Sequence, residues 1–409
     1  MRLLHTSDWH LGQHFMGKSR QAEHQALIDW LLLQVDAQAV DAVLIAGDLF
    51  DTGTPPSYAR ELYNQLVLRL HEAGVGLLLL AGNHDSVAVL AESCDLLARL
   101  GTRVVATAGE PADAVHVLSQ RNGQPGCLAC AIPFIRPRDV LSSQPGQSAD
   151  DKQQALQQAI TRHYAAVYAA ARAKKETLGL ALPIIATGHL TTVGAKSSES
   201  VREIYVGSLD ALPSHSFPPA DYIALGHIHR PQTVGGQVHI RYSGSPLALS
   251  FDEARQEKEM LLVDLDDSGL RTVNRLPVPC FQALVGIDSN LADLPAAIGA
   301  AAAAGTVDRP AWLEITIAED DYLADLPARV QAMCDGWPVD VLRIRKARGQ
   351  RAAQLANERL ETLAELTPDE VFARRLAQEN LSDDMQHALM ERYQRVVSQL
   401  TAPTSGEAL

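Results

Sequence analysis

The chain has 409 residues, 46% hydrophobic and 21% charged, which fits two or three globular domains of roughly 150 residues and excludes a disordered or fibrous chain. No apolar run approaches the ~18 residues of a spanning helix, and Asp8 comes before a signal-like core can form, so a soluble, unexported protein without a membrane is expected. The net charge of −14 argues against a simple nucleic-acid coat, yet residues 1–250 carry 19 Lys and Arg against 22 Asp and Glu, leaving phosphate substrates open there.

From the start, short apolar runs end in polar residues: 3–4 leads to Ser7-Asp8, 42–46 to Gly47-Asp48, and 77–81 to Gly82-Asn83-His84-Asp85. Each reads as a strand buried on both faces. Helical periodicity at 22–35 and 56–70 between them gives a β-α-β-α-β order and a layered α/β sheet. Further strands are predicted at 127–133, 184–187, 222–225, 238–242 and 260–265. After Pro277-Val278-Pro279 a second β-α-β-α-β unit follows, with strands at 282–287, 312–317 and 339–344 and helices at 294–304 and 323–333. A basic stretch (Arg343, Arg345, Lys346, Arg348, Arg351) leads into a helical tail. There Thr367-Pro368-Asp369-Glu370 forms a capping box, and Met385, Leu389, Tyr393, Val396 and Leu400 share one helix face. The expected boundaries are 1–275, 280–347 and 348–409.

Five polar clusters follow apolar strands: Asp8-Trp9-His10, Gly47-Asp48-Leu49-Phe50-Asp51, Gly82-Asn83-His84-Asp85, Gly188-His189, and Gly226-His227-Ile228-His229. Open α/β sheets bind ligands beyond the carboxyl ends of their strands. Strand alternation predicts that Asp8 and His10 project together, as do His227 and His229. A glycine precedes the polar residues in four of the five, where close backbone approach is needed. Carboxylate, imidazole and amide oxygen form a donor mixture suited to manganese, iron or zinc rather than to calcium. A single strand-end Asp or His is usually a cap, but buried strand ends rarely collect so many ionisable groups without function.

With D-x-H, G-D-x-x-D, G-N-H-D, G-H and G-H-x-H in this order, the sequence resembles the calcineurin-like metallophosphoesterases. Within them it is similar to the bacterial nuclease subunits, through residues 5–12, 47–53, 188–193 and 242–246. The resemblance implies a metallophosphoesterase β-sandwich flanked by helices, with a small α/β capping domain and a C-terminal helical tail. It also implies two divalent metal ions, Mn2+ foremost, one held by Asp8, His10, Asp48 and His229 and the other by Asp48, Asn83, His189 and His227. His84 would act on the leaving oxygen or the transition-state charge, and Asp51 would orient His84. DNA as substrate, homodimerisation and an SMC-like ATPase subunit as partner follow from the same resemblance. The nuclease relatives outside bacteria carry a histidine at the position of Asp51.

Other features read more plainly. Cys127 and Cys130 lack a second ligand pair and are expected to be buried strand thiols; five sparse cysteines fit a reducing cytoplasm. Arg60, near the second cluster, is a candidate phosphate-backbone contact, with helix capping and dimer packing as its plainer roles. The stretch 343–351 reads first as a solvated linker, with contact to DNA as its alternative. His14, His24, His71, His163 and His215 read as surface or structural histidines.

Overall fold

The computed structural model describes residues 1–141, 148–198, 200–201, 211–317, 325–346, 389 and 392. Two six-stranded sheets form its centre. The first runs, edge to edge, Gly269–Pro277, Glu259–Asp266, Arg2–Thr6, Ala42–Ala46, Gly76–Leu80, Thr102–Val105. Its last four strands are parallel, with Leu3 opposite Ala42, Ala42 opposite Gly76 and Leu77 opposite Thr102; Glu259–Asp266 joins antiparallel. The second sheet runs Gln232–Val234, Gln237–Tyr242, Tyr222–Gly226, Ile184–His189, Pro125–Cys130, Val115–Ser119.

The apolar runs have a direct cause in the layering. Along Ala42–Ala46, Ala42, Leu44 and Ala46 face Cys127, Ala129, Ile185 and Tyr222 of the second sheet. Val43 and Ile45 face Leu27, Leu31 and Leu66 of the helices Gln21–Ala37 and Ser57–Glu72. Both faces are buried, so both alternating sets are apolar. The outer face of the second sheet packs against Ile160, Tyr164 and Val167 of the helix Ala149–Leu178. That helix starts at Ser148, whose hydroxyl accepts from Asp151 N, and stops at Gly179 in the left-handed conformation. The order is helix, sheet, sheet, helix, the layered α/β arrangement expected from the sequence.

A third sheet (Leu284–Ser289, Ala311–Ile317, Val339–Lys346) with helices Leu294–Ala302 and Leu326–Cys334 has its own core of Ile287, Leu294, Ile298, Leu313, Ile315 and Val330. A small aromatic cluster joins it to the sandwich. Phe15 stacks on Trp312 at 5.6 Å between ring centroids and meets Phe251 edge-on at 5.3 Å. The compact unit Met1–Arg345 contains sandwich and small sheet; a second unit comprises Lys346–Leu409. The tail helices expected from 367 onward lie outside the described residues, apart from Leu389 and Arg392, which are helical. Among the described residues, no helix is long and apolar enough to cross a membrane.

Candidate metal centre

All five clusters converge where the strands of both sheets end. Arg2–Thr6 and Tyr222–Gly226 stop before the polar residues begin. Asp8 and His10 come together as expected, but strand alternation is not the cause, and His227 and His229 fall in different groups: all four residues lie beyond the strands. Asp8 (φ 55°), His10 (φ 49°), Asp48 (φ 50°) and His227 (φ 91°) hold positive φ, which costs a non-glycine residue on the order of 1–3 kcal/mol and persists only when its surroundings enforce it. The enforcing contacts are backbone hydrogen bonds between the first two turns: Asp8 N to Gly47 O (3.0 Å), Trp9 N to Asp48 O (2.9 Å) and Leu11 N to Leu49 O (2.8 Å).

Glycine permits the remaining approach. A Cβ on Gly82 would fall against Asp48 Oδ1 and N, and one on Gly226 against Ala46 O. Asp85 locks the second and third turns together, its carboxylate accepting from Leu49 N (3.2 Å), Phe50 N (2.9 Å) and Gly82 N (2.8 Å). Burial and the Asp48 charge push the Asp85 carboxyl up to about 6, against the lowering effect of these three bonds.

Eight side chains meet in the resulting hollow. Asp8, His10 and His229 bring ligand atoms within 4.8 Å of one another, as do Asp48, His189 and His227, and His10, Asp48 and His84. Asp48 Oδ2 stands 3.2 Å from His189 Nε2 and 3.8 Å from His10 Nε2, a position shared by both halves of the cluster. Asn83 Oδ1 lies 3.0 Å from His189 Nε2, and His229 Nε2 is 4.0 Å from Asp8 Oδ1.

The outer ring nitrogens are fixed from behind. His10 Nδ1 meets Asp51 Oδ1 (3.1 Å), His189 Nδ1 donates to Ala46 O (2.8 Å), and His229 Nδ1 meets Glu253 Oε1 (3.1 Å) and Ser200 Oγ (2.7 Å). Each arrangement turns Nε2 inward, as a metal-ligating imidazole requires. His10 Nε2 is buried with no hydrogen-bond partner, an orphan that a cation would satisfy. The mixed nitrogen and oxygen donors fit divalent transition metals.

The electrostatics follow from burying carboxylates among imidazoles. Burial alone would raise Asp48, but His189, His10 and His84 hold its carboxyl far below the ordinary range. Burial lowers His189, and Asp48 more than reverses this, taking the ring to about 9. Desolvation and neighbouring imidazoles push His227 down. Metal binding to this set displaces protons.

Asp51 meets the site through both side chain and backbone. Its carboxylate faces His10, and its backbone carbonyl accepts from His84 Nδ1 at 2.7 Å. Arg60 is not brought to the cluster: it lines a separate surface cleft with Phe50, Tyr63 and Leu90. His14 sits on the rim of the metal-site cleft. Cys127 and Cys130 are buried strand thiols pushed up to about 12 by desolvation.

One element escaped the sequence reading. Fully buried Glu253 supports His229, accepts from Lys258 Nζ (2.7 Å), Leu249 N (3.0 Å) and Ser198 Oγ (2.6 Å), and also binds Ser200 Oγ. A Glu and a Lys five residues apart in a polar loop carry no periodic or glycine-marked signal.

Residues 1–231 match the calcineurin-like phosphoesterase family, and residues 280–380 match the type 5 capsule protein repressor C-terminal domain. The chain belongs to the calcineurin-like phosphoesterases, a class of metal-dependent phosphoester hydrolases. It is 51% identical over 393 residues to SbcD of the nuclease SbcCD from Escherichia coli strain K12, spanning 96% of this chain and 97% of that protein. The corresponding SbcCD protein of Rhodobacter capsulatus is 31% identical over 388 residues, 91% of this chain and 94% of that one. The Bacillus subtilis protein of the same name is 34% identical over 270 residues, 64% and 66% of the two chains.

Proposed function

We propose that this chain is a two-metal DNA nuclease subunit, cutting duplex ends as an exonuclease and single strands or hairpins as an endonuclease. An SMC-like ATPase, SbcC, would join it in an SbcCD-type complex and make cleavage ATP-dependent, in cytoplasmic DNA repair, recombination and replication-associated hairpin removal. The observation that carries this reading is the buried imidazole–carboxylate cluster centred on Asp48, in a chain matched over 96% of its length by a nuclease subunit.

In this reading Asp8, His10, Asp48 and His229 hold one divalent ion, and Asp48, Asn83, His189 and His227 the other, Mn2+ being the proposed metal. Bound there, the two ions would acidify a water and offset charge on the phosphate. Asp48 would serve both ions, since its carboxylate stands between His10 and His189. His84 delivers a proton to the leaving oxygen or stabilises the charge on the phosphate, its ring oriented through Nδ1 by the Asp51 carbonyl. The Asp51 carboxylate aims His10.

Residues 1–275 would be the nuclease domain, 280–347 the cap and 348–409 the linker and helices that dock the ATPase, with the nuclease acting as a homodimer and Arg60 as a DNA contact.

The test is a manganese-supplemented assay of the purified chain, with and without the ATPase partner, on hairpin DNA and on bis-p-nitrophenyl phosphate. Cleavage of both substrates is expected. Hydrolysis of the small ester alone, with the partner present, defeats the nuclease reading and leaves a small-molecule phosphodiesterase.

A further inference from the structure

The metal-site cleft is not built from the sandwich alone. A hollow of about 310 Å³ is lined by His10, His84 and His229, by Phe251, and by Arg343 from the last strand of the small sheet. The placement of Arg343 is fixed from both sides. Leu342 beside it packs on the cluster of Phe15, Phe251 and Trp312, and Asp340 pairs with Lys18 at 2.8 Å. The strand pair His14–Phe15 and Lys18–Ser19 thus ties the metal turn at His10 to the strand that carries Arg343.

The charge balance at this point is uneven. Glu314 is the carboxylate for two guanidiniums: Arg343 Nε, and Arg345 at 3.7 Å. Arg343 is one-third exposed (33%) and Glu314 only 13%, so solvent screens the pair in part and a phosphate that takes the guanidinium must outcompete it. If Arg343 moves to another anion, Glu314 keeps Arg345, so the exchange strands no unpaired charge. A planar guanidinium fork matches two phosphate oxygens. In a chain of net charge −14, Arg343 brings a cation to the lining of the cleft.

We propose that Arg343 forms a phosphate subsite of the cleft, binding a backbone phosphate adjacent to the scissile one, with Glu314 as its resting partner. This rests on the nuclease reading. A small diester carries only the phosphate that the metal cluster takes, whereas a nucleic-acid strand carries neighbours. Arg343 is thereby a specificity residue, one that raises strand cleavage relative to hydrolysis of isolated esters.

The experiment compares kcat/KM of the full chain with Mn2+ on a single-stranded oligonucleotide and on bis-p-nitrophenyl phosphate, for wild type, Arg343→Gln and Glu314→Gln. For Arg343→Gln the ratio of oligonucleotide to ester efficiency should fall about tenfold, the loss of one charge-assisted phosphate contact. The salt dependence of log KM for the oligonucleotide should become shallower by about 0.7. Glu314→Gln releases the guanidinium and should raise the same ratio, a direction that damage to the fold does not produce. An unchanged ratio and salt slope in Arg343→Gln overturn the subsite, as does an equal loss on both substrates, which makes Arg343 a prop of the cap. A wild-type chain that hydrolyses the ester but no oligonucleotide defeats the nuclease reading, and the subsite falls with it.

Discussion

The sandwich and the small three-stranded domain obey the same packing rules but spend them differently. In the small domain the apolar core is ordinary, and among the described residues Gly336 is the only one with positive φ. In the sandwich, four candidate ligand residues hold left-handed backbone at strand ends, and carboxylates and imidazoles are buried against one another. Strain and buried charge are costs that a fold has no reason to keep unless something compensates. Their concentration around Asp48 marks the chemistry. The small domain's core, by contrast, is built from apolar side chains.

The sharpest way to break this contrast is at the shared carboxylate. Asp48→Asn should reduce hydrolysis of either substrate by more than about 10³-fold and lose two-metal occupancy, since a neutral amide does not bridge dications. Elemental analysis and circular dichroism of the variant check both halves; two bound metals with full activity would remove Asp48 from the bridge. His84→Ala should differ in kind. Turnover drops by ~10²-fold while both metals stay bound, and metal loss measured by calorimetry would make His84 a ligand, as its closeness to His10 and Asp48 allows.

A smaller effect comes from protons. In the metal-free chain the Asp48 charge outweighs burial and takes His189 to about 9, so the ring carries a proton at neutral pH. A cation must displace it. The apparent Mn2+ affinity should therefore fall by about tenfold for each pH unit below about 9, for each proton displaced. Calorimetry across pH 7 to 9 in buffers of different ionisation enthalpy reads both slope and proton count. A flat profile would show that His189 is not titrated by the ion.

Much of this architecture was legible in the residues because the central strands are buried on both sides. Ala42–Ala46 and Gly76–Leu80 are unbroken apolar runs for that reason. The glycine-marked clusters were legible too: Gly82 and Gly226 sit where any Cβ would strike a neighbouring turn. Strands at the sheet margins were not. Thr102–Val105, Val115–Ser119 and Gly269–Pro277 mix exposed and buried positions without clean alternation. The helix Ala149–Leu178 did carry a signal, since Leu156, Ile160, Tyr164, Val167 and Ala171 recur at helical spacing and are buried. Its alanine and glutamine content hid the stripe. The left-handed turns and the Glu253 support of His229 depend on partners distant along the chain, so no local pattern announces them.

The gentlest test of the comparison lies in the small domain's own core. Leu313 is fully buried on the central strand Ala311–Ile317, among Ile287, Ile298 and Val330. Replacing it with alanine removes buried methyl groups and leaves a cavity that neighbours only partly close, a cost of about 2–5 kcal/mol. That loss should appear as a lower urea midpoint for the small domain. Leu313 touches neither the metal turns nor their supports, so Mn2+ affinity and hydrolysis of bis-p-nitrophenyl phosphate should stay within about twofold of wild type, as expected for separate clusters without shared partners. Oligonucleotide cleavage should fall further than ester hydrolysis, because the strand carrying Arg343 belongs to the loosened sheet. Equal losses on both substrates would show that the two regions are energetically one, and the division between a costly site and an inexpensive scaffold would not hold.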